Sequence, residues 1–299
     1  MARRWAVWIG MVVMVAASSA MAEEAEIGSE AEGDVEEAID DEGAGFVARG
    51  VLQLRANPIG LSLLNDVGYQ APMWDSESLL LDGTTIEGGV TTGLSPAFGW
   101  AGPYVEWLPL AVLELRASFH GMQYFGTFGY LYELQDEDRT WDSDALSRSS
   151  DEGLGQSASG WMAMGRATPQ ILLGRVVATG ETSVRYISMD MEGAYYEPYF
   201  DILMEPDEVM WKTRPTVGYL LGSDLARSYL LVGARYERVW TRRAEESRDI
   251  VGAVWNWKLP PSIMTRGAPE LAGFVGAFVD HSQRGDVTPY GAVQWMMEW

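Results

Sequence analysis

Charged side chains recur at alternate positions along this chain, and they are its main source of possible chemistry. Arg49 and Arg55, Glu106, Glu114 and Arg116, Arg166, Arg185, Lys212 and Arg214, and Arg235 with Glu237 all interrupt runs in which neighbouring positions are apolar. Successive side chains of a strand point to opposite faces. These ionic groups, together with His120, therefore belong to a face set against a greasy one. Gathered around one interior, they can do either of two things. They can neutralise one another and stiffen a filled core, or they can line a passage that selects solutes by charge. Basic residues outnumber acidic ones in this set, so such a passage would lean toward anions.

Other chemistries find less support. The chain has no Cys and only two His, His120 and His281. Thiol catalysis, Cys-ligated zinc and iron–sulfur clusters are thereby excluded, and no cofactor or metal centre is expected. Asp280-His281-Ser282 sets an acid, a base and a hydroxyl side by side, but neighbours in a strand face opposite ways and make no triad. Close to the turn signal Gly285-Asp286, His281 is expected to be a solvent-exposed loop residue. No catalytic residue is assigned. Asp136, Glu137, Asp138, Asp142, Asp144, Asp151 and Glu152 form an acidic loop without the spacing or the Gly of a calcium hand. Pro198 and Pro206 bracket Tyr199–Met204, with Tyr195 and Tyr196 just before, and this most aromatic loop leaves three readings open: a constriction folded into a barrel mouth, a partner-binding surface, or a cap over strand ends.

The elements that would position these groups are strands. After residue 22 no apolar run approaches the ~18 residues of a membrane-spanning helix, yet 47% of the chain is hydrophobic. In 111–121, Leu113, Leu115, Ala117 and Phe119 oppose Glu114, Arg116, Ser118 and His120. In 228–238, Leu230, Val232, Ala234 and Tyr236 oppose Gly233, Arg235 and Glu237. Trp107, Trp211, Trp240, Trp257 and Tyr219 fall near the ends of such runs, as interfacial aromatic girdles do. The pattern predicts an all-β protein, a closed antiparallel transmembrane β-barrel of about 12 strands, with ten or fourteen as alternatives. The predicted strands are 46–56, 61–73, 84–94, 97–108, 110–131, 157–178, 181–191, 207–221, 226–241, 248–258, 270–281 and 287–299. Residues 132–156, 192–206 and 242–247 become external loops.

Three segments follow. Residues 1–22, with Arg3 and Arg4, an apolar stretch and Ala20-Met21-Ala22, read as a signal peptide. Residues 23–43 hold eleven carboxylates and no basic residue, and read as an acidic disordered periplasmic segment. Residues 44–299 form the barrel. At a formal charge of −22 the chain repels phosphate backbones, so nucleic acid is not an expected partner.

The last residues carry a resemblance. Val293, Trp295, Met297 and Trp299 alternate and end on an aromatic, and this resembles the closing strand of Gram-negative bacterial outer-membrane β-barrel proteins. That class more often ends in Phe, so Trp299 departs from it mildly. The resemblance implies location in the bacterial outer membrane, a lipid bilayer as surroundings, and reading of the last strand by the barrel-assembly machinery. The leading expectation is a porin-like passive channel for small solutes. A structural or surface-interaction barrel with a filled lumen is the alternative, and an outer-membrane hydrolase ranks last.

Overall fold

The computed structural model describes residues 44–127, 131, 151–260, 269–282 and 287–298, apart from residues 58, 75, 77, 79, 82, 224, 226 and 227. The signal peptide, the acidic segment, most of the acidic loop and Trp299 lie outside the described residues. The strands are β1 (Gly45–Ala56), β2 (Gly60–Pro72), β3 (Thr85–Leu94), β4 (Phe98–Leu110), β5 (Leu113–Phe125), β6 (Ser157–Leu173), β7 (Val176–Met189), β8 (Tyr195–Glu197), β9 (Ile202–Met204), β10 (Asp207–Leu221), β11 (Tyr229–Thr241), β12 (Ser247–Lys258), β13 (Glu270–His281) and β14 (Pro289–Glu298). Twelve of them close into one barrel, each strand antiparallel to its sequence neighbour, with β8 and β9 set apart as a two-stranded sheet. β1 closes the ring on β14, from Arg49 opposite Glu298 to Ala56 opposite Gly291. Closure leaves no unpaired ladder edge, which hydrocarbon would not solvate.

The two faces differ as alternation requires. Leu52, Leu54, Val67, Val90, Val105, Val217, Val251 and Val275 are exposed on the exterior, where an apolar surface of this extent calls for lipid. Even its polar spots pair: Asn65 donates to Thr92 on the neighbouring strand at 3.4 Å. Trp211 and Trp240 are register partners towards one end. Phe46 and Tyr69 meet edge-on at the other, the end of the described chain termini. Tyr219, Trp107 and Trp257 also lie towards that near end, exposed. The chain is thus an outer-membrane-type barrel, with an aromatic belt towards each rim.

All twelve predicted spans meet a strand. The boundary between β6 and β7 moves, because Gly174 adopts φ 64° and opens a tight turn at 174–175 that the alternation did not announce. β6 also runs through Pro169, opposite Leu113 on β5, while its pairing with β7 skips 168 and 169; Pro has no N–H to give the ladder. Span 110–131 shortens to β5, since Ala111-Val112 make the turn and Gly126 leaves the strand at φ 69°.

The expected external loop 192–206 takes the first of the three courses open to it and folds into the barrel mouth. β8 and β9 pair from Tyr195 opposite Met204 to Glu197 opposite Ile202 and fold inside the far end of the ring. Tyr195, Tyr196, Ile202, Leu203 and Met204 are at most 1% exposed. Tyr195, Phe200, Ile202 and Met204 of the hairpin need a water-free partner, and the wall provides one in Phe98, Tyr124, Met162, Ile187, Met210 and Val239. Next to it, Glu208 accepts the backbone N–H groups of Arg242, Arg243 and Ala244 at 2.8–3.0 Å. That pins the 242–246 turn onto β10.

Candidate functional site: the barrel interior

The interior of the ring is a layer of ionic side chains beneath the hairpin. Arg49, Arg55, Glu106, Glu114, Arg116, His120, Arg166, Arg185, Lys212, Arg214, Arg235 and Glu237 all project inward, and most line one of two adjoining cavities of about 350 and 380 Å³. Arg166, Glu181, Arg185, Tyr199 and Arg214 border both. The two sides of this space are built differently.

Along β2–β6, carboxylates and guanidinium groups interlock. Register places Glu87, Glu106, Arg116 and Arg166 in one row across four strands. Arg116 donates two bonds to Asp66, at 2.7 and 2.9 Å, and one to Glu106 at 3.1 Å. Arg166 bridges Glu106 at 3.1 Å and Glu114. From β1, Arg49 reaches Glu87, which also accepts from the Tyr104 hydroxyl, and lies 3.5 Å from Glu106. The Arg116 guanidinium stacks over the Tyr104 ring at 4.1 Å. Every charge here has an opposite within contact, the condition under which ions are tolerated out of water. Higher up, His120 stacks on Trp100 with ring centroids 4.5 Å apart. Trp100 can lie flat there only because position 93 is Gly: a Cβ would stand 2.2 Å from the indole.

Along β7–β12 cations are in excess. The larger cavity is bordered by seven basic residues, five of them from these strands, and two carboxylates. Arg214 pairs with Glu181, and Glu237 takes both Lys212 at 3.0 Å and Arg248 at 2.7 Å. Arg235 donates to the Thr216 hydroxyl at 3.0 Å and lies over the Phe274 ring. Arg185 stacks on Phe200 at 4.9 Å, its Nη1 is buried without a hydrogen-bond partner, and among the described residues it makes no ion pair.

The hairpin is held over this space by polar anchors. The Tyr124 hydroxyl and the Phe200 N–H both donate to Glu197. Arg55 donates to the carbonyl of Tyr199 and covers its ring. At the tip, Asp201 takes φ 55°, accepts from the Tyr196 hydroxyl at 2.6 Å, and lies 3.4 Å from His281 Nε2. His281, expected in solvent, is instead buried at 1% side-chain exposure. The inserted hairpin tip covers it, which no local pattern around Asp280-His281-Ser282 could announce. Burial also pushes the Glu197 carboxyl above the usual carboxylate range, against the hydrogen bonds of Tyr124 and Phe200.

Among the predicted assembly residues, Val293 is exposed on the outer face of β14, with Trp295 and Met297 on the same parity. The interior carboxylates Asp66, Glu87 and Glu181, and Arg248, were not predicted. β2 carries Leu61, Leu63 and Leu64 on both parities, and β3 is rich in Gly and Thr, so their faces were ambiguous. With these residues included, the basic majority of the predicted set disappears on the β2–β6 side and persists only on β7–β12.

No family model and no curated protein sequence matches this chain. Among solved structures, the β domain of the Bordetella autotransporter BrkA aligns at TM-score 0.48 and 11% identity, covering 86% of this chain and all of that one. LpxR from Salmonella typhimurium aligns at TM-score 0.41 and 9% identity, covering 85% of this chain and all of that one. OmpT of Vibrio cholerae aligns at TM-score 0.38 and 7% identity, covering 88% and all. Similarity at this level carries no residue role across. The barrel class rests on the ring of strands and the apolar exterior themselves.

Proposed function

We propose that the barrel is a narrow conduit for small solutes, constricted by the β8–β9 hairpin and selective for anions. The observation that supports it is the cation excess around the larger cavity. A purely structural core would place a carboxylate against Arg185, or an apolar side chain in its stead, because an uncompensated buried charge is costly. A water-filled passage hydrates such a charge and uses it to favour one sign of solute. The conduit is far tighter than an open pore, since the hairpin occupies the far end of the lumen.

Planar-bilayer recording tests this. The mature protein should show a small conductance with an anion-favouring reversal potential. Replacing residues 194–205 by a short Gly-Ser turn should raise the conductance several-fold. Silence of both forms, or a cation preference, would overturn the reading. A filled structural barrel is the second reading, favoured by the buried anchors Glu197–Tyr124 and Asp201–His281; it expects silence in both forms.

A further inference from the structure

We propose that the larger cavity is a binding site for a small oxyanion of the phosphate type, held by Arg185 and Arg235 with Arg214, Lys212 and Arg248 around it. The inference deepens the conduit reading by naming its solute class.

The argument starts from the supply of donors. A guanidinium offers five N–H donors in a rigid fork, and two of its edges match two oxygens of a tetrahedral or planar oxyanion. Arg214, Lys212 and Arg248 spend part of their donors on Glu181 and Glu237. Arg235 gives its Nε to Thr216, and Arg185 gives nothing to a carboxylate. Arg185 lies over the Phe200 ring of the hairpin at 4.9 Å and Arg235 over the Phe274 ring of β13 at 5.8 Å, and both side chains border the cavity. Five cations against two carboxylates leave a local surplus of positive charge. A ligand with two negative charges and several acceptor oxygens answers it. A volume of about 380 Å³ admits phosphate and a small phosphomonoester, within the range of small-molecule sites. Chloride meets the charge but not the forked geometry.

Binding can be measured apart from passage. Barrel protein refolded in detergent is titrated with inorganic phosphate by calorimetry at constant ionic strength, chloride being the exchanged anion. Saturable binding of one phosphate per barrel is expected. Arg185→Gln should weaken it by about 10- to 100-fold, the loss of one charge-assisted hydrogen-bonding group. Arg185→Lys keeps the charge without the fork, and should fall between the two. Arg238→Gln removes an equal charge from the outer face of β11 and should leave affinity unchanged. Absence of saturable phosphate binding in the unaltered barrel overturns the site. So does equal weakening by Arg185→Gln and Arg238→Gln, which would mark diffuse charge. If Arg185→Gln does not refold, Arg185→Lys decides: affinity equal to that of the unaltered barrel overturns the site. Phosphate binding without bilayer conductance would leave the site standing and remove the conduit, whereas conductance without saturable binding would do the reverse.

Discussion

Across one lumen, the β2–β6 wall and the β7–β12 wall use the same ionic residue types to opposite ends. On the first, Asp66, Glu87, Glu106 and Glu114 meet Arg49, Arg116 and Arg166 in a lattice in which most groups have two partners. On the second, among the described residues Arg185 and Arg235 have no carboxylate in contact, and each lies over an aromatic ring. Many apolar side chains of the strands are turned to lipid, and the lumen has its water-free apolar cluster at the far end, around the hairpin. Beneath it the paired wall has a salt-bridge lattice in place of an apolar core, and the unpaired wall keeps charge available. The difference separates what stabilises the interior from what could act in it.

The largest expected effect comes from cutting the lattice. Arg49→Met leaves Glu87 and Glu106 facing each other in a buried row with one cation fewer. It should destabilise the barrel by about 3–5 kcal/mol, read as a lower urea midpoint for unfolding from detergent. The same substitution on the opposite wall should act in the other sense. Arg185→Met removes a charge that no carboxylate offsets and keeps an unbranched side chain to cover Phe200. Its urea midpoint should be unchanged or raised, by about 1 kcal/mol. If both substitutions destabilise equally, the two walls are alike and the contrast fails.

How legible all this was differs between the same regions. The ring was readable where the alternation is clean: Leu113 to Phe119 and Leu230 to Tyr236 give the face of every residue by parity alone. The individual cations of β7, β10 and β11 were readable by the same rule. The carboxylates of the β2–β6 wall were only partly so, because Asp66 sits beside Leu64 and Glu87 beside Gly88, where parity is blurred. Pairing itself is a matter of distance around the ring, which spacing along the chain does not encode: Arg166 meets Glu106 across 60 positions. The hairpin was legible as an aromatic segment, and its insertion was one of three readings that the sequence could not separate. Its destination depends on a complementary apolar lining of Phe98, Met162, Ile187 and Val239 drawn from four distant strands.

The hairpin carries the most modest effect, and its sign is fixed by Glu197. That carboxyl is buried between Tyr124 and the Phe200 N–H, and burial raises its pKa above the ordinary value of 4.5. With the hairpin released, it would titrate near that ordinary value. The docked form therefore holds its proton to higher pH than the released form does. Docking is strongest below about pH 4.5, and the contribution fades as pH rises through the raised value. Proteolysis of the hairpin, and any conductance it restrains, should thus increase as pH is taken from 4 to 8. Glu197→Gln keeps an acceptor for Tyr124 and carries no titrating charge, so its profile should be flat over that range. An unaltered barrel that is more readily cleaved at pH 4 than at pH 8 would reverse the sign and show that the hydrogen bonds from Tyr124 and Phe200 outweigh burial at this carboxyl.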